Sequence, residues 1–244
     1  VLFRSVVIAD IGIPRDVLER VDGPRISLLT PGRLREHVGP RPPDAHKGDF
    51  GRVTIVAGSV GKSGAAWLSA MGALRSGAGL VTVATPASVQ AVVASMGAEY
   101  MTLPLPDVDG MVQPEAVVAV TDTRHDVIAC GPGLGRSDGA RAFVEALLER
   151  ATVPLVLDAD ALWVLGSEST TLVGRDDRPV VITPHPGEMA RLLGTSAELV
   201  QQDRLKAALD FAVSHHVFVV LKGHRTVIVT PAGEIAIKIG RAHV

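Results

Sequence analysis

With a single cysteine, Cys130, in 244 residues, the chain cannot form an internal disulfide, so its fold has to rest on buried apolar surface. The length permits this: one large α/β domain, or one domain with part of another, can bury a sizeable core. Aromatic residues are scarce, at 3%, so platforms for stacking bases are scarce too. Neither sign of charge dominates. The balance of 24 basic against 26 acidic residues gives a net charge of −2, which argues against nucleic acid or an anionic membrane as a partner. No apolar stretch approaches the roughly 18 residues of a membrane span, and the first residues lack the charged-then-apolar layout of a signal peptide. A soluble cytoplasmic protein is the expectation.

The two ends read unlike the rest. Residues 1–5 are VLFRS and residues 239–244 are IGRAHV. Back-translated, the two strings can overlap as reverse complements across ATCGGAAGAGCAC, and both fall within AGATCGGAAGAGCACAC and its continuation, a common sequencing-adapter sequence. The hypothesis is that both ends were translated through adapter, with only the first base of the Lys238 codon native. Source DNA that continues as genomic sequence through either end would refute it.

From residue 53 onward, short apolar runs rich in β-branched residues alternate with Ala- and Leu-rich stretches, the pattern of βα units around a mostly parallel sheet. Strands buried on both faces should be continuously apolar. The candidates are residues 53–57, 80–84, 127–130, 155–157, 180–182 and 217–221. Helical spacing is seen at 64–76, 138–150, 187–193 and 196–214. Residues 226–230 and 234–237, joined by Pro231, Ala232 and Gly233, predict a hairpin. The earlier stretch differs in kind: a β-like run over 6–13 ends at Pro14, a helix is expected over 33–39, and a boundary falls between Asp22 and Pro43.

Chemistry concentrates in the turns that follow the strands. Ala57-Gly58-Ser59-Val60-Gly61-Lys62-Ser63-Gly64-Ala65-Ala66 is a glycine-rich turn into a helix, where backbone N–H groups at the positive end of the dipole suit an anion. It is not a Walker loop, because the position five before Gly61 is Val56 and not glycine. Gly131-Pro132-Gly133-Leu134-Gly135 puts bare backbone at a strand's carboxyl end, where open α/β sheets bind ligands. Close packing of helix on sheet, or a plain tight turn, accounts for either set of glycines equally well. In Leu157-Asp158-Ala159-Asp160-Ala161-Leu162, Asp160 reads as a helix N-cap and Asp158 is left open between metal and hydroxyl binding.

Thr183-Pro184-His185-Pro186-Gly187-Glu188-Met189 is the strongest local signal. Two prolines hold His185 extended at a strand end, so the ring is aimed, and Glu188 suits the first turn of a helix. Lys222-Gly223-His224-Arg225-Thr226 offers a cation, a flexible glycine and a hydroxyl at a strand end, which fits a nucleotide-phosphate clamp; a solvated basic turn is the plainer alternative.

In order, HKGDFG, AGS followed by SGAA, RSGAGLVTVATP, GPGLG, LDADAL, ITPHPGEM and LKGHRT resemble the NAD(P)H-hydrate dehydratase family over roughly residues 34–237. The resemblance implies a ribokinase-like, three-layer α/β/α fold with a mostly parallel central sheet. Val7-Ile8-Ala9-Asp10-Ile11-Gly12-Ile13-Pro14 further resembles the last strand of the NAD(P)H-hydrate epimerase domain that precedes the dehydratase in bifunctional proteins. Residues 6–30 are then the tail of that domain with a linker, and 31–238 an incomplete dehydratase domain. The activity implied is dehydration of the S-epimer of hydrated NADH or NADPH, with ADP (ATP in eukaryotes) and Mg2+. Phosphorylation of the ring hydroxyl makes it a good leaving group, and loss of phosphate restores the nicotinamide.

Carried over residue by residue, Ala65, Gly133 and His185 are expected to contact the hydrated dinucleotide. Lys222, Gly223, His224, Arg225 and Thr226 are expected to hold the adenine nucleotide, and the resemblance extends more weakly to Lys47, Gly48 and Ala66 along the site. The family forms homo-oligomers, tetramers as a rule. One departure stands out: the family's glycine-rich GxGD loop, with its catalytic aspartate, follows the hairpin and is not in this sequence. The expectation is a C-terminally truncated domain without dehydratase activity and with apolar surface left uncovered. Two alternatives stay open, a ribokinase-like vitamin kinase and a non-catalytic dinucleotide-binding module.

Overall fold

The computed structural model describes residues 11–20, 26–35, 38–168 and 171–239. The β-like run over 6–13 therefore lies mostly outside the described residues. Each strand–turn–helix unit follows from the apolar runs above, and the elements fall in this order: α1 (Arg15–Arg20), β1 (Ile26–Leu28), α2 (Pro31–Arg35), β2 (Arg52–Val56), α3 (Ser63–Arg75), β3 (Leu80–Pro86), α4 (Ala87–Ser95), β4 (Met101–Leu105), β5 (Asp107–Val108), β6 (Met111–Val112), α5 (Ala116–Thr121) and β7 (Val127–Cys130). The second half carries α6 (Asp138–Arg150), β8 (Leu155–Leu157), α7 (Asp160–Leu165), β9 (Val180–Ile182), α8 (Pro186–Leu193), α9 (Ala197–Gln202), α10 (Arg204–His215), β10 (Phe218–Leu221), β11 (Thr226–Val229) and β12 (Ile235–Lys238).

Among the described residues, ten strands make one sheet in the order β1-β12-β11-β10-β9-β8-β7-β2-β3-β4. All pairs are parallel except β10 with β11 and β11 with β12, the expected hairpin and its approach. Residues 26–28 close one edge by pairing parallel to β12, with Ile26 opposite Ile235. Order reverses at β2. From there the chain moves outward through β3 and β4, then returns to the other side of β2 as β7 and continues through β8, β9 and β10. In such a sheet the crevice outside the carboxyl ends of the strands at the reversal is where ligands bind.

The strands are buried as read. Val56, Val83, Ile128, Leu155, Leu157 and Ile182 are all essentially inaccessible. The larger core cluster packs all of these except Val83 against α6, whose stripe of Phe143, Val144, Leu147 and Leu148 follows helical spacing. Ser137 caps that helix by accepting from the Ala140 N–H at 3.1 Å. A smaller cluster joins Ile55, Val81 and Val83 to Ala66 and Ala70 of α3. Truncating the fully buried Phe143 to alanine should cost roughly 3–5 kcal/mol.

Two local expectations are corrected. Residues 196–214 do not form one helix: Asp203 leaves helical geometry at φ −143 and ψ 77 and caps α10 by accepting from Lys206 N–H at 2.9 Å, so the stretch splits into α9 and α10. A capping side chain here competes with helix continuation. The early helix also starts and stops sooner than 33–39, at Pro31–Arg35, with proline in the first position that tolerates it.

Candidate functional site

Five turns, those after β2, β7, β8, β9 and β10, meet at the carboxyl edge, and the glycines explain how closely. A Cβ on Gly131 would lie 1.8 Å from the carbonyl oxygen of Asp158, and one on Gly133 would lie 2.8 Å from the Ala65 Cβ and 3.0 Å from the Lys62 carbonyl. Both sit at positive φ, 130° and 66°, where L side chains are disfavoured. Hydrogen bonds fasten the same contact: Gly58 N–H donates to Pro132 at 2.9 Å, and the Ser59 hydroxyl donates to the Gly133 carbonyl at 2.8 Å. The β5–β6 hairpin, unforeseen in the sequence, lies over this junction, with Gly110 against Val60 and Met111 against Gly135.

The two aspartates after β8 serve different turns. Asp158 accepts from the Lys222 ammonium at 2.6 Å. Asp160 is almost buried and accepts from Lys62 Nζ at 2.8 Å, Arg136 Nε at 2.8 Å and Gly135 N–H at 3.1 Å. Burial pushes the Asp160 carboxyl pKa upward, but these three donors outweigh it and hold the pKa below the ordinary aspartate value. The expected N-cap role of Asp160 is thus corrected. Ala159 is the residue before α7, its φ of 50° and ψ of −121° turn the chain sharply, and Asp160 becomes the first helical residue with its carboxylate directed across the crevice. A non-glycine residue in that conformation stores about 1–3 kcal/mol of strain.

His185 is the N-cap of α8. Its Nδ1 accepts from Gly187 N–H at 3.0 Å and Glu188 N–H at 3.2 Å, while Glu188 accepts from His185 N–H at 2.8 Å, a reciprocal capping box. With Nδ1 accepting, the ring proton resides on Nε2, in a ring that is more than half exposed. Glu188 is buried, and its carboxylate lies 3.8 Å from Lys222 Nζ, which ties this turn to the next.

The Lys222–Thr226 turn is shaped by a residue that sequence reasoning missed. Arg204, at the start of α10, donates to the carbonyls of His224 at 2.6 Å, Leu221 at 2.9 Å and Lys222 at 3.1 Å. Gly223, at φ 143°, has no room for a Cβ beside that guanidinium. Lys222 N–H in turn donates to Pro184 at 2.8 Å. A basic residue at a helix start carries no sequence mark of such a role, since it equally suits an exposed surface.

The structure therefore brings Ala65, Gly133, His185 and Lys222, with Gly223 to Thr226 in the same turn, to one edge, and Ala66 lies buried beneath Gly58. It does not bring Lys47 and Gly48 there. They form a 3-10 turn before the amino end of β2, where the Lys47 carbonyl packs against Gly79, the residue preceding β3. Cys130 is fully buried in β7, and burial pushes its thiol pKa up to about 12, which disfavours the thiolate. A cavity of about 640 Å3 runs along α8 past Arg141, Ser167 and Arg191 and meets the site at Gly187. No helix among the described residues is long and apolar enough to cross a membrane.

A mostly parallel sheet flanked by helices, with glycine turns and a lysine-bearing turn converging outside its strand ends, is a ribokinase-like α/β fold. The chain belongs to the NAD(P)H-hydrate dehydratase family, whose model matches residues 53–242. It is 44% identical over 233 residues to the bifunctional NAD(P)H-hydrate repair enzyme Nnr of Moorella thermoacetica, covering 94% of this chain but only 44% of that protein. With the ADP-dependent (S)-NAD(P)H-hydrate dehydratase of Neisseria meningitidis serogroup B it shares 37% identity over 203 residues, 80% of this chain and 63% of that one. Among solved structures it is similar to the ADP/ATP-dependent NAD(P)H-hydrate dehydratase of Bacillus subtilis, co-crystallised with ATP and Mg2+ (TM-score 0.73, 30% identity, 87% of this chain and 72% of that chain). A ribokinase-like superfamily protein of Enterococcus faecalis V583 superposes equally well (TM-score 0.73, 29% identity, 89% and 72%).

Proposed function

We propose that this chain carries the two-nucleotide site of an enzyme that dehydrates the S-epimer of hydrated NADH or NADPH at the expense of ADP or ATP. The observation that carries the reading is the convergence of the Gly131–Gly135, Pro184–Glu188 and Lys222–Thr226 turns on one strand edge, joined through Asp158, Lys222 and Glu188. Ala65, Gly133 and His185 hold the hydrated nicotinamide half, with the His185 ring more than half exposed toward it and its Nε2 steadied by Glu188 Oε1 at 3.4 Å. The Lys222 turn holds the adenine nucleotide. Arg204 draws inward the Lys222 and His224 carbonyls of the turn and that of Leu221 just before it, which leaves backbone N–H groups of the turn to face the phosphates, and Lys222 adds a cation.

A nucleotide bound there supplies the phosphoryl group that converts the ring hydroxyl into a leaving group. Mg2+ would be held largely by the nucleotide phosphates and needs one or two protein carboxylates; Asp158, beside Lys222 and outside the His185–Glu188 capping box, is the carboxylate that would supply one. What the residues present do is bind and orient. The capping box fixes the histidine ring, and Asp158 sets the position of Lys222.

Calorimetric titration of the 244-residue chain tests the reading. ATP with Mg2+ and hydrated NADPH should each bind, at sites occupied together, and His185→Ala should weaken only the hydrate. Competition between the two ligands for one site, or preferential binding of pyridoxal or a hydroxyethylthiazole over the hydrate, would overturn it.

A further inference from the structure

Ala65, Gly133 and His185 include no permanent cation, yet a nicotinamide dinucleotide brings a diphosphate, and NADPH a third phosphate as well. Lys222 is engaged with Asp158 on the other turn. Beside Gly133, however, stands a second basic group. The stem of Lys62 starts on the Gly133 surface, with its Cβ 3.1 Å from where a Gly133 Cβ would lie. Its ammonium shares the Asp160 carboxylate with Arg136, each at 2.8 Å. Arg136 is set a second time by the face of Trp163, 4.6 Å from its guanidinium carbon.

Charge and exposure show that this cluster is not closed on itself. Two cations meet one anion, so a unit of positive charge is left over at the crevice. The carboxylate is 8% exposed while Lys62 and Arg136 remain 46% and 53% exposed. One ammonium has three donors and one guanidinium five, and only one of each is taken by Asp160. Asp160 therefore holds the two cations in place and leaves their other donors facing outward. Side chains already ordered by a buried partner lose little entropy on binding, which is what pre-organisation of an anion site requires.

We propose that Lys62 and Arg136, positioned by Asp160, form a phosphate subsite for the hydrated dinucleotide, distinct from the adenine-nucleotide turn at Lys222. The inference rests on the reading of Gly133 and Ala65 as hydrate contacts. The shared ligand chemistry is a phosphoryl anion, which can be the diphosphate bridge of either dinucleotide or the 2′-phosphate of NADPH alone.

The test titrates the 244-residue chain and its Lys62→Ala, Arg136→Ala and Lys62→Arg variants with hydrated NADPH, hydrated NADH and ATP with Mg2+. Both side chains are half exposed, and circular dichroism checks that each variant keeps its fold. Each alanine variant should weaken hydrate binding by about tenfold or more, the scale of one charge-assisted contact. Lys62→Arg should retain most of the affinity, and ATP affinity should not change. An equal loss for both hydrates identifies the diphosphate; a loss confined to hydrated NADPH identifies the 2′-phosphate. Unchanged hydrate affinity in both alanine variants, or an ATP loss as large as the hydrate loss, would overturn the subsite alone. Failure of the unaltered chain to bind either hydrate overturns the subsite together with the functional reading beneath it.

Discussion

Two turns of this site are built on opposite principles. The Gly131–Gly135 turn is shaped by what is missing: bare α-carbons let the backbone of three segments touch, and nothing larger than hydrogen fits. The Lys222–Thr226 turn is shaped by what is added, a partly buried guanidinium that gathers three carbonyls. Geometry of the first kind is rigid, because its contacts are backbone against backbone. Geometry of the second kind can be tuned or chemically replaced, because it hangs on one side chain.

Breaking the first turn should have the largest effect. Gly131→Ala drives a Cβ into the Asp158 carbonyl and demands a disfavoured φ, so a loss above roughly 4 kcal/mol is expected, read as a collapse of the urea midpoint. A melting curve close to that of the unaltered chain would show that the backbone contact relaxes. Breaking the second should be milder and more selective. Arg204→Ala removes three charge-assisted bonds and is expected to cost about 2–4 kcal/mol. Its affinity for ATP should fall further than its affinity for hydrated NADPH, and added guanidinium should restore part of it. Equal losses for the two ligands would deny the arginine a role in positioning the nucleotide turn.

Asp160 sharpens the contrast, since it fastens the glycine-built region by charge. Asp160→Asn keeps the shape but weakens three donor contacts, for roughly 1–3 kcal/mol. The sign with pH follows from the direction of the shift. Its folded pKa is depressed below the ordinary value, so its stabilisation is complete above the unfolded pKa of about 4 and fades as pH falls from there through the lower folded value. Chemical denaturation should show the difference between parent and Asp160→Asn shrinking below pH ~4; a constant difference would contradict it. The smallest effect belongs to His185. His185→Asn can still cap α8 and should keep stability, whereas His185→Ala should lose about 1 kcal/mol. Both should lose hydrate affinity, which separates the cap from the contact.

Much of the sheet was legible because buried parallel strands are written as continuous apolar runs: 127–130, 155–157 and 180–182 coincide with β7, β8 and β9. The turns that follow them were legible because glycine and proline mark backbone geometry directly. Less so were polar residues whose partners lie far away along the chain. Asp160 read as a local cap because nothing in LDADAL announces Lys62, 98 residues earlier. The break at Asp203 was hidden inside an unbroken helical pattern. Lys47 and Gly48 stood close in sequence to the strand that feeds the site but belong to its other end.

Local order was thus set by the chain itself: which runs become strands, where each turn falls, and that several turns carry chemistry. Each of these depends on neighbours within a few positions, through backbone sterics and apolar periodicity. Tertiary structure alone decided which charges face one another. Lys62 and Arg136 came to share Asp160, Lys222 came to Asp158, and Arg204 came beneath its turn, because parallel pairing of β2, β7, β8, β9 and β10 stacks their carboxyl ends side by side. Coulomb and hydrogen-bond energies act over a few ångströms of space, and separation along the chain says nothing about that distance.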